Sequence, residues 1–370
     1  DGFNETNIGA VTLIDGSIVN TGAAATLTST STYTLEKGTV SASLGGTVVA
    51  AIAKNTAGRV ILSGDNSFSG TAATIAVNAG YLNLRHSNAL GAAASANTTT
   101  VSGGATLELE NSITIPSVKA ITVNGTGVAK AGAIRNVNGT NTIGANITLG
   151  STNVRINSDS GTLTVPSVSG NTFNSICGGA GDITGSGAIG TTSGSVTKDG
   201  VGILNLPGNN TYTGPTTIIL GTVIANSTAS IGNGSATNTL VFAGGTLQAA
   251  GTITSLSSRA VTLGYDGGTI DTNNNSVSIA GTVGYAGGLT KSGLGTLTVT
   301  GATTIGRDFT ITNGTFVAPT AMTIMGDFSN SGTFTHNSGT VTMAPNNGTL
   351  TSSILGSSNT TFNNFTNTTP

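Results

Sequence analysis

Apolar residues alternate with Thr, Ser or Asn in short runs along the whole chain, as in Thr106-Leu107-Glu108-Leu109-Glu110, Gly161-Thr162-Leu163-Thr164-Val165 and Thr296-Leu297-Thr298-Val299-Thr300. A period of two is the signature of a strand with one buried face. Clusters of Gly, Asn and Asp interrupt the runs every few residues, and these residue types supply the positive-φ corners that tight turns need. No stretch of a dozen residues carries a 3.6-residue apolar stripe. The Ala-rich segment from Ala89 to Ala96 comes nearest to a helix, and it is short. The pattern predicts an all-β chain of many short strands.

Self-similarity narrows the architecture. Segments starting at Lys54, Lys198 and Lys291 align: a Gly follows four residues later (Gly58, Gly202, Gly295), an apolar residue at the eighth position further on (Leu62, Leu206, Val299), and a second Gly two residues beyond it (Gly64, Gly208, Gly301). The first two copies continue with Asn-x-aromatic-x-Gly, as Asn66, Phe68, Gly70 and Asn210, Tyr212, Gly214; the third lacks it. Each copy runs on to a further turn glycine, Gly80, Gly221 or Gly314. The lysines are 144 and 93 residues apart, so the intervening length varies. A solenoid tolerates such variation because each coil touches only its neighbours. At about 20–25 residues per coil, the chain would make about 15–18 coils at about 4.8 Å each.

The pattern Lys-x-x-x-Gly-x-Leu-x-Leu-x-Gly-x-Asn-x-Tyr-x-Gly resembles the autotransporter-associated β-strand repeat, or passenger-associated transport repeat, of bacterial surface proteins. Ser87-Asn88-Ala89-Leu90-Gly91 and the stretch from Gly132 to Gly150 also resemble sequence found between such repeats. The resemblance spans roughly residues 50 to 320. It implies a right-handed parallel β-helix passenger, secreted across an outer membrane. The family's C-terminal membrane barrel is not among these residues.

Composition agrees with an ordered repetitive chain. Of 370 residues 56 are Gly, Trp is absent, and 7% are charged. Disordered chains combine low hydropathy with high net charge, whereas the mean hydropathy here is +0.19 and the formal net charge is −2. The 12 basic residues are scattered singly in sequence, so nucleic acid is not an expected partner and this segment is not expected to insert in a membrane. Cys177 is the sole cysteine, which excludes a disulfide framework. Beyond Arg307 there is no Lys or Arg, and beyond residue 320 lie all three Met and four of the ten Phe. Residues 1–320 therefore read as a β-solenoid with copies near 54–84, 198–225 and 291–318. Residues 321–370 read as a nearly uncharged continuation with Phe in the interior, or as an assembly module. Neither terminus shows a capping segment, which is the expectation for a piece of something longer.

Candidate chemistry is sparse. His86 and His336 are 250 residues apart in polar turn contexts, and Cys177 sits in a strand-like patch as a small hydrophobe. Glu108 and Glu110 would project from one outward face, as a glycosidase pair could, but no basic cluster accompanies them in sequence. Asp266 and Asp271 suit a plain turn better than a Ca²⁺ loop. Thr-x-Thr rows such as Thr296 to Thr300 could order water, but their coil-to-coil spacing reads as too irregular for a flat array. Asn-x-Thr/Ser triplets at Asn4, Asn124, Asn138, Asn146, Asn209 and Asn313 are unremarkable in so Asn- and Thr-rich a chain. No catalytic, cofactor-binding or metal-binding residue is assigned, and no cofactor is expected. The chain reads as a non-enzymatic extracellular or cell-surface structural protein, part of a fibre, filament or adhesin passenger. Its expected partners are further copies of itself, end to end or laterally, or other surface components. The alternatives are a β-helical polysaccharide-degrading enzyme, which needs Glu108, Glu110 and a Lys or Arg in one groove, and a carbohydrate-binding module.

Overall fold

The computed structural model describes residues 4–20, 25–46, 50–69, 73–255, 258–345 and 351–368. The chain falls into two compact units, Asp1–Thr191 and Thr192–Pro370. Each is a parallel β-solenoid. In the first, one ladder runs through Val11–Leu13, Tyr33–Leu35, Ala50–Lys54, Thr74–Val77, Thr98–Val101, Ala120–Val123, Ile147–Leu149, Val168–Ser169 and Ile189–Gly190. A second ladder holds Arg59–Leu62, Gly80–Leu84, Ala105–Leu109, Ile134–Asn136, Val154–Ser158 and Ser175–Gly178, and a third holds Thr114–Ile115, Thr140–Ile143, Thr162–Val165 and Asp182–Gly185. Three faces also build the second unit, with strands such as Val261–Leu263, Gly268–Asp271 and Ser276–Ile279 following one another around a coil. A coil takes 19 residues between Thr303 and its partner Met322 and 27 between Leu107 and Ile134.

The alternation seen in sequence is the in-and-out alternation of these strands. Leu107, Ile134 and Ile156 stack in register inside the first unit, and Leu247, Ile270 and Leu289 are buried in the second. The interior is richer than Val, Ile, Leu and Ala alone, because it also takes Tyr33, Phe68, Tyr212 and Phe242 and several polar groups. Phe309 stacks on Phe328 at 5.6 Å and Phe316 on Phe334 at 6.1 Å, each in strand register. The phenylalanine column thus starts ahead of residue 320. The Ala89–Ala96 segment is a pair of turns rather than a helix. Asn97 Nδ2 donates to the Leu90 carbonyl at 2.9 Å, and the buried Lys119 Nζ donates to the Ala92 and Ser95 carbonyls at 2.7 and 2.6 Å. The local Asn97 bond and the long-range Lys119 bonds hold the loop open against the local helix preference of alanine.

The aligned repeat residues form one recurring joint. Lys54, Lys198 and Lys291 are all buried. Each ammonium donates to the carbonyl two residues ahead, on Thr56, Gly200 and Gly293. It also reaches one coil forward, to Ala79 at 3.2 Å, Leu220 at 3.3 Å and Asn313 at 3.1 Å. The residues that follow these acceptors are Gly80, Gly221 and Gly314, with φ of 67, 72 and 66°. A side chain at each would strike the carbonyls of Thr56 and Gly58, of Gly200 and Gly202, or of Gly293 and Gly295. The lysine and its two glycines are therefore one device, a buried staple joining two successive turns. The Asn-x-aromatic element is a second. Asn66 accepts from Leu44 N at 2.9 Å in the coil before and donates to Ala89 O at 2.8 Å in the coil after. Asn210 donates to Ser230 O at 2.6 Å, and the buried Tyr212 hydroxyl meets Thr216 Oγ1 at 2.7 Å. Gly70 lies outside the described residues.

Burial pushes the Lys119 and Lys291 ammonium groups down to about 8, and it lowers Lys54 as well. The unfolded chain, with ordinary lysines near 10.5, binds more protons than the folded one between those values. Stability therefore rises with pH across that window and is lost again as pH falls through about 8. The urea midpoint is expected to be higher at about pH 10 than at about pH 7.5, with an added stability on the order of 1–3 kcal/mol. An unchanged or lower midpoint would count against buried, desolvated ammonium groups.

Candidate functional site

The richest polar constellation lies on the outward side of the second ladder of the first unit. Strand register sets Asn83, Glu108, Arg135 and Asn157 in one column. Glu108 is 0% exposed. Its Oε1 accepts from Arg59 at 2.9 Å and Arg135 at 3.0 Å, and its Oε2 accepts from Asn83 at 3.1 Å. Glu110 pairs with Arg85 at 2.8 Å and accepts from Asn83 at 3.1 Å. Arg135 extends the chain to Asp159 at 2.5 Å, and Asn157 donates to the same carboxylate group at 2.7 Å. Burial alone would lower the Arg135 guanidinium, but Asp159 and Glu108 outweigh it and hold Arg135 above its ordinary value. Arg59 also lies over the Tyr81 ring, 4.5 Å from its centroid.

One expectation is corrected here. Glu108 stands on the outward side of its strand as expected, fully covered and engaged by Arg59, Arg135 and Asn83. The expected lack of an accompanying basic cluster is wrong: Arg59, Arg85 and Arg135 converge on the two glutamates. Arg59 stands 49 residues from Glu108 and Arg135 27 residues from it. With coils of unequal length, no fixed sequence spacing reveals such neighbours. The one available signal was the Asn and Arg residues at outward positions of successive strands, in Leu82-Asn83-Leu84, Leu107-Glu108-Leu109 and Ile134-Arg135-Asn136.

Chemically the ladder is saturated. Each carboxylate faces a guanidinium, and Glu108 has guanidiniums on both sides. A general acid and base need a proton to move and room for substrate, whereas Glu108 has neither an open side nor an unpaired oxygen. The other candidates are dispersed. His86 Nδ1 accepts from Asn88 N at 3.1 Å, and His336 Nδ1 from Ser338 N at 3.0 Å, each within its own turn. Cys177 is buried in register with Ile156. Asp271 accepts from Gln248 Nε2 at 2.7 Å and from Asn273 N at 2.8 Å, while Asp266 is exposed. Among the described residues no three His, Cys, Asp or Glu side chains come together as a metal site. No helix among them is long and apolar enough to cross a membrane.

The Thr-x-Thr rows fall into strand register from coil to coil, with Ser and Val interspersed. Thr296 stacks in register between Ser276 and Thr315, and Thr298 between Ser278 and Val317. Thr333 and Thr335 continue both columns. On the neighbouring face Thr222, Thr246, Thr269, Thr290, Thr310 and Ser329 form a third column. Variable loops disguise this order in sequence, because insertions fall at corners and leave strand pairing intact.

The passenger-associated-transport-repeat family matches residues 53–84, 196–225 and 289–318. Each matched segment contains one staple lysine and the turn glycine one coil on, Lys54 with Gly80, Lys198 with Gly221 and Lys291 with Gly314. The chain carries the autotransporter-associated repeat. The chain is also similar to the Adhesin BmaC autotransporter of Brucella suis biovar 1 (strain 1330), at 39% identity over 141 residues, which is 33% of this chain and 4% of that protein. The chain thus corresponds to a small fraction of the length of that relative. No solved structure matches the chain. Repeat and relative together make it an extracellular or cell-surface β-solenoid passenger segment. Within it, the repeat is a coil-joining module: the lysine present in each of the three copies is spent on backbone carbonyls, and none of them presents that charge to solvent.

Proposed function

We infer that this passenger segment is a non-enzymatic structural and adhesive element of a bacterial surface, acting through its stacked coils rather than through a reaction. The saturation of the Glu108 ladder carries this function. The carboxylate that would serve a polysaccharide hydrolase is locked between Arg59 and Arg135 at 2.9 and 3.0 Å. The adhesin name of the relative supports the same role, as do outward faces rich in Thr, Ser and Asn, which suit contact with hydrated partners such as other surface components or further copies of the chain. Residues 321–370, with their phenylalanine stack and lack of Lys and Arg, suit a continuation of the solenoid better than a separate assembly module.

Display of the chain on the surface of a non-adherent bacterial host is expected to raise attachment to a solid or cellular surface, or clumping between the displaying cells. In parallel, the purified chain is expected to release no reducing ends or unsaturated products from a panel of plant, fungal and bacterial polysaccharides. Turnover of any of them that disappears in Glu108→Gln would overturn the non-enzymatic reading. Absence of both attachment and clumping would overturn the adhesive one.

A further inference from the structure

A groove of about 440 Å³ opens on the second unit where successive glycine turns cross from one face to the next. Its size falls within the range of small-ligand sites. Tyr265, Asp266, Arg307, Asp308, Thr290 and Thr310 contribute the side chains, and Gly244, Gly267 and Gly288 leave the floor bare. The Tyr265 ring is 68% exposed. The Arg307 guanidinium stands over it, 3.6 Å from the ring centroid. Thr269, Thr290 and Thr310 line the same groove one coil apart, in strand register, so their hydroxyls recur about every 4.8 Å along the coil axis.

What separates this groove from the ladder of the first unit is the state of its polar groups. There the charges neutralise one another. Here, among the described residues, neither the Asp266 carboxylate nor the Thr269, Thr290 and Thr310 hydroxyls take a side-chain hydrogen bond, and Arg307 forms no ion pair, its guanidinium lying instead over the Tyr265 ring. Only Asp308 is partly engaged, accepting from Asp327 N at 2.9 Å. With Arg307 over one face of the Tyr265 ring, the opposite side of this largely exposed residue, the carboxylate and guanidinium groups and the row of hydroxyls are groups that recognise a sugar: the ring packs against its C–H face and the polar groups bond its hydroxyls. Two aspartates against one arginine disfavour an anionic chain. The groove also lacks the cation cluster that a nucleic acid or an acidic lipid surface would need.

We propose that this groove binds a neutral oligosaccharide, with Tyr265 as its stacking platform, Asp266 and Arg307 as hydrogen-bonding groups, and the threonine row tracking successive sugar units. The proposal rests on the adhesive reading above and assigns it a ligand class. The test titrates the purified chain with cellotetraose, N-acetylchitotetraose, mannotetraose and the acidic tetragalacturonate, by calorimetry and by tyrosine fluorescence, which is readable because the chain has no Trp. Saturable binding of at least one neutral tetrasaccharide is expected, weakened at least about tenfold in Tyr265→Ala and unchanged in Leu294→Ala, an exposed residue outside the groove. Asp266→Ala, at an exposed residue without partners, provides a second variant should Tyr265→Ala fail to fold. No binding of any neutral probe, tighter binding of tetragalacturonate, or wild-type affinity in folded groove variants would overturn the proposal. Failure here with attachment of displaying cells intact would remove the glycan site and leave the adhesive function standing.

Discussion

Glu108→Ala is expected to lower the stability of the first unit by about 3–5 kcal/mol, because it removes, from a fully covered position, the carboxylate shared by two guanidiniums. Arg135, whose side chain is three-quarters covered, would keep Asp159 but lose one of its two carboxylate partners. Arg59 and Asn83 would each lose a partner as well. Glu108→Gln should retain most of the loss, since what disappears is charge rather than volume. Arg59→Ala should cost less, about 1 kcal/mol or below, because its side chain is half exposed and Glu108 would still hold Arg135. Urea unfolding followed by far-UV circular dichroism checks the order. If Glu108→Ala unfolds within about 1 kcal/mol of wild type, the ladder is decoration and its bearing on function falls with it.

Gly314→Ala should destabilise the second unit on a similar scale, about 3–5 kcal/mol, by a different route. The residue sits at φ 66°, where an L side chain costs about 1–2 kcal/mol. The added Cβ would also meet the Gly293 and Gly295 carbonyls at 2.4 and 2.5 Å. Those atoms cannot yield cheaply, because they are backbone of the preceding coil, fixed by Lys291 and by the hydrogen bond from Thr315 N to Gly295 O. Gly80→Ala and Gly221→Ala face the same carbonyl pairs and should behave alike. Gly103→Ala is the contrast: its Cβ would meet nothing within 4 Å, so its effect should stay within about 0.5 kcal/mol. Comparable midpoints for Gly314→Ala and Gly103→Ala would show that the staple glycines are not constrained as described.

The parts of this molecule that were legible in sequence are those set by local rules. Strand alternation at Leu107 and Leu109 or Leu297 and Val299, and turn glycines at Gly80, Gly221 and Gly314, depend on nearest neighbours in the chain and gave a β-solenoid directly. The lysine was visible as a repeat mark, but nothing local says that it is buried, since an ammonium in a Gly-rich stretch reads as a solvated one. What stayed hidden was everything carried from coil to coil. Arg59, Glu108 and Arg135 meet only because three strands fall into register across loops of different length. The threonine columns and the Tyr265 groove have the same origin. Asp266 was legible as a turn residue, whereas its neighbour Arg307 belongs to a turn more than forty residues on.

The staple lysines have a direction. Each ammonium grips its own turn and then the turn of the coil that comes after, so it is fully satisfied only once that later coil is in place. Without its successor, the ammonium would lose that carbonyl and fall back on water at the open end of its coil. The burial of each lysine, and the lowered proton affinity that goes with it at Lys54 and Lys291, therefore belong to a pair of neighbouring coils and not to either one alone.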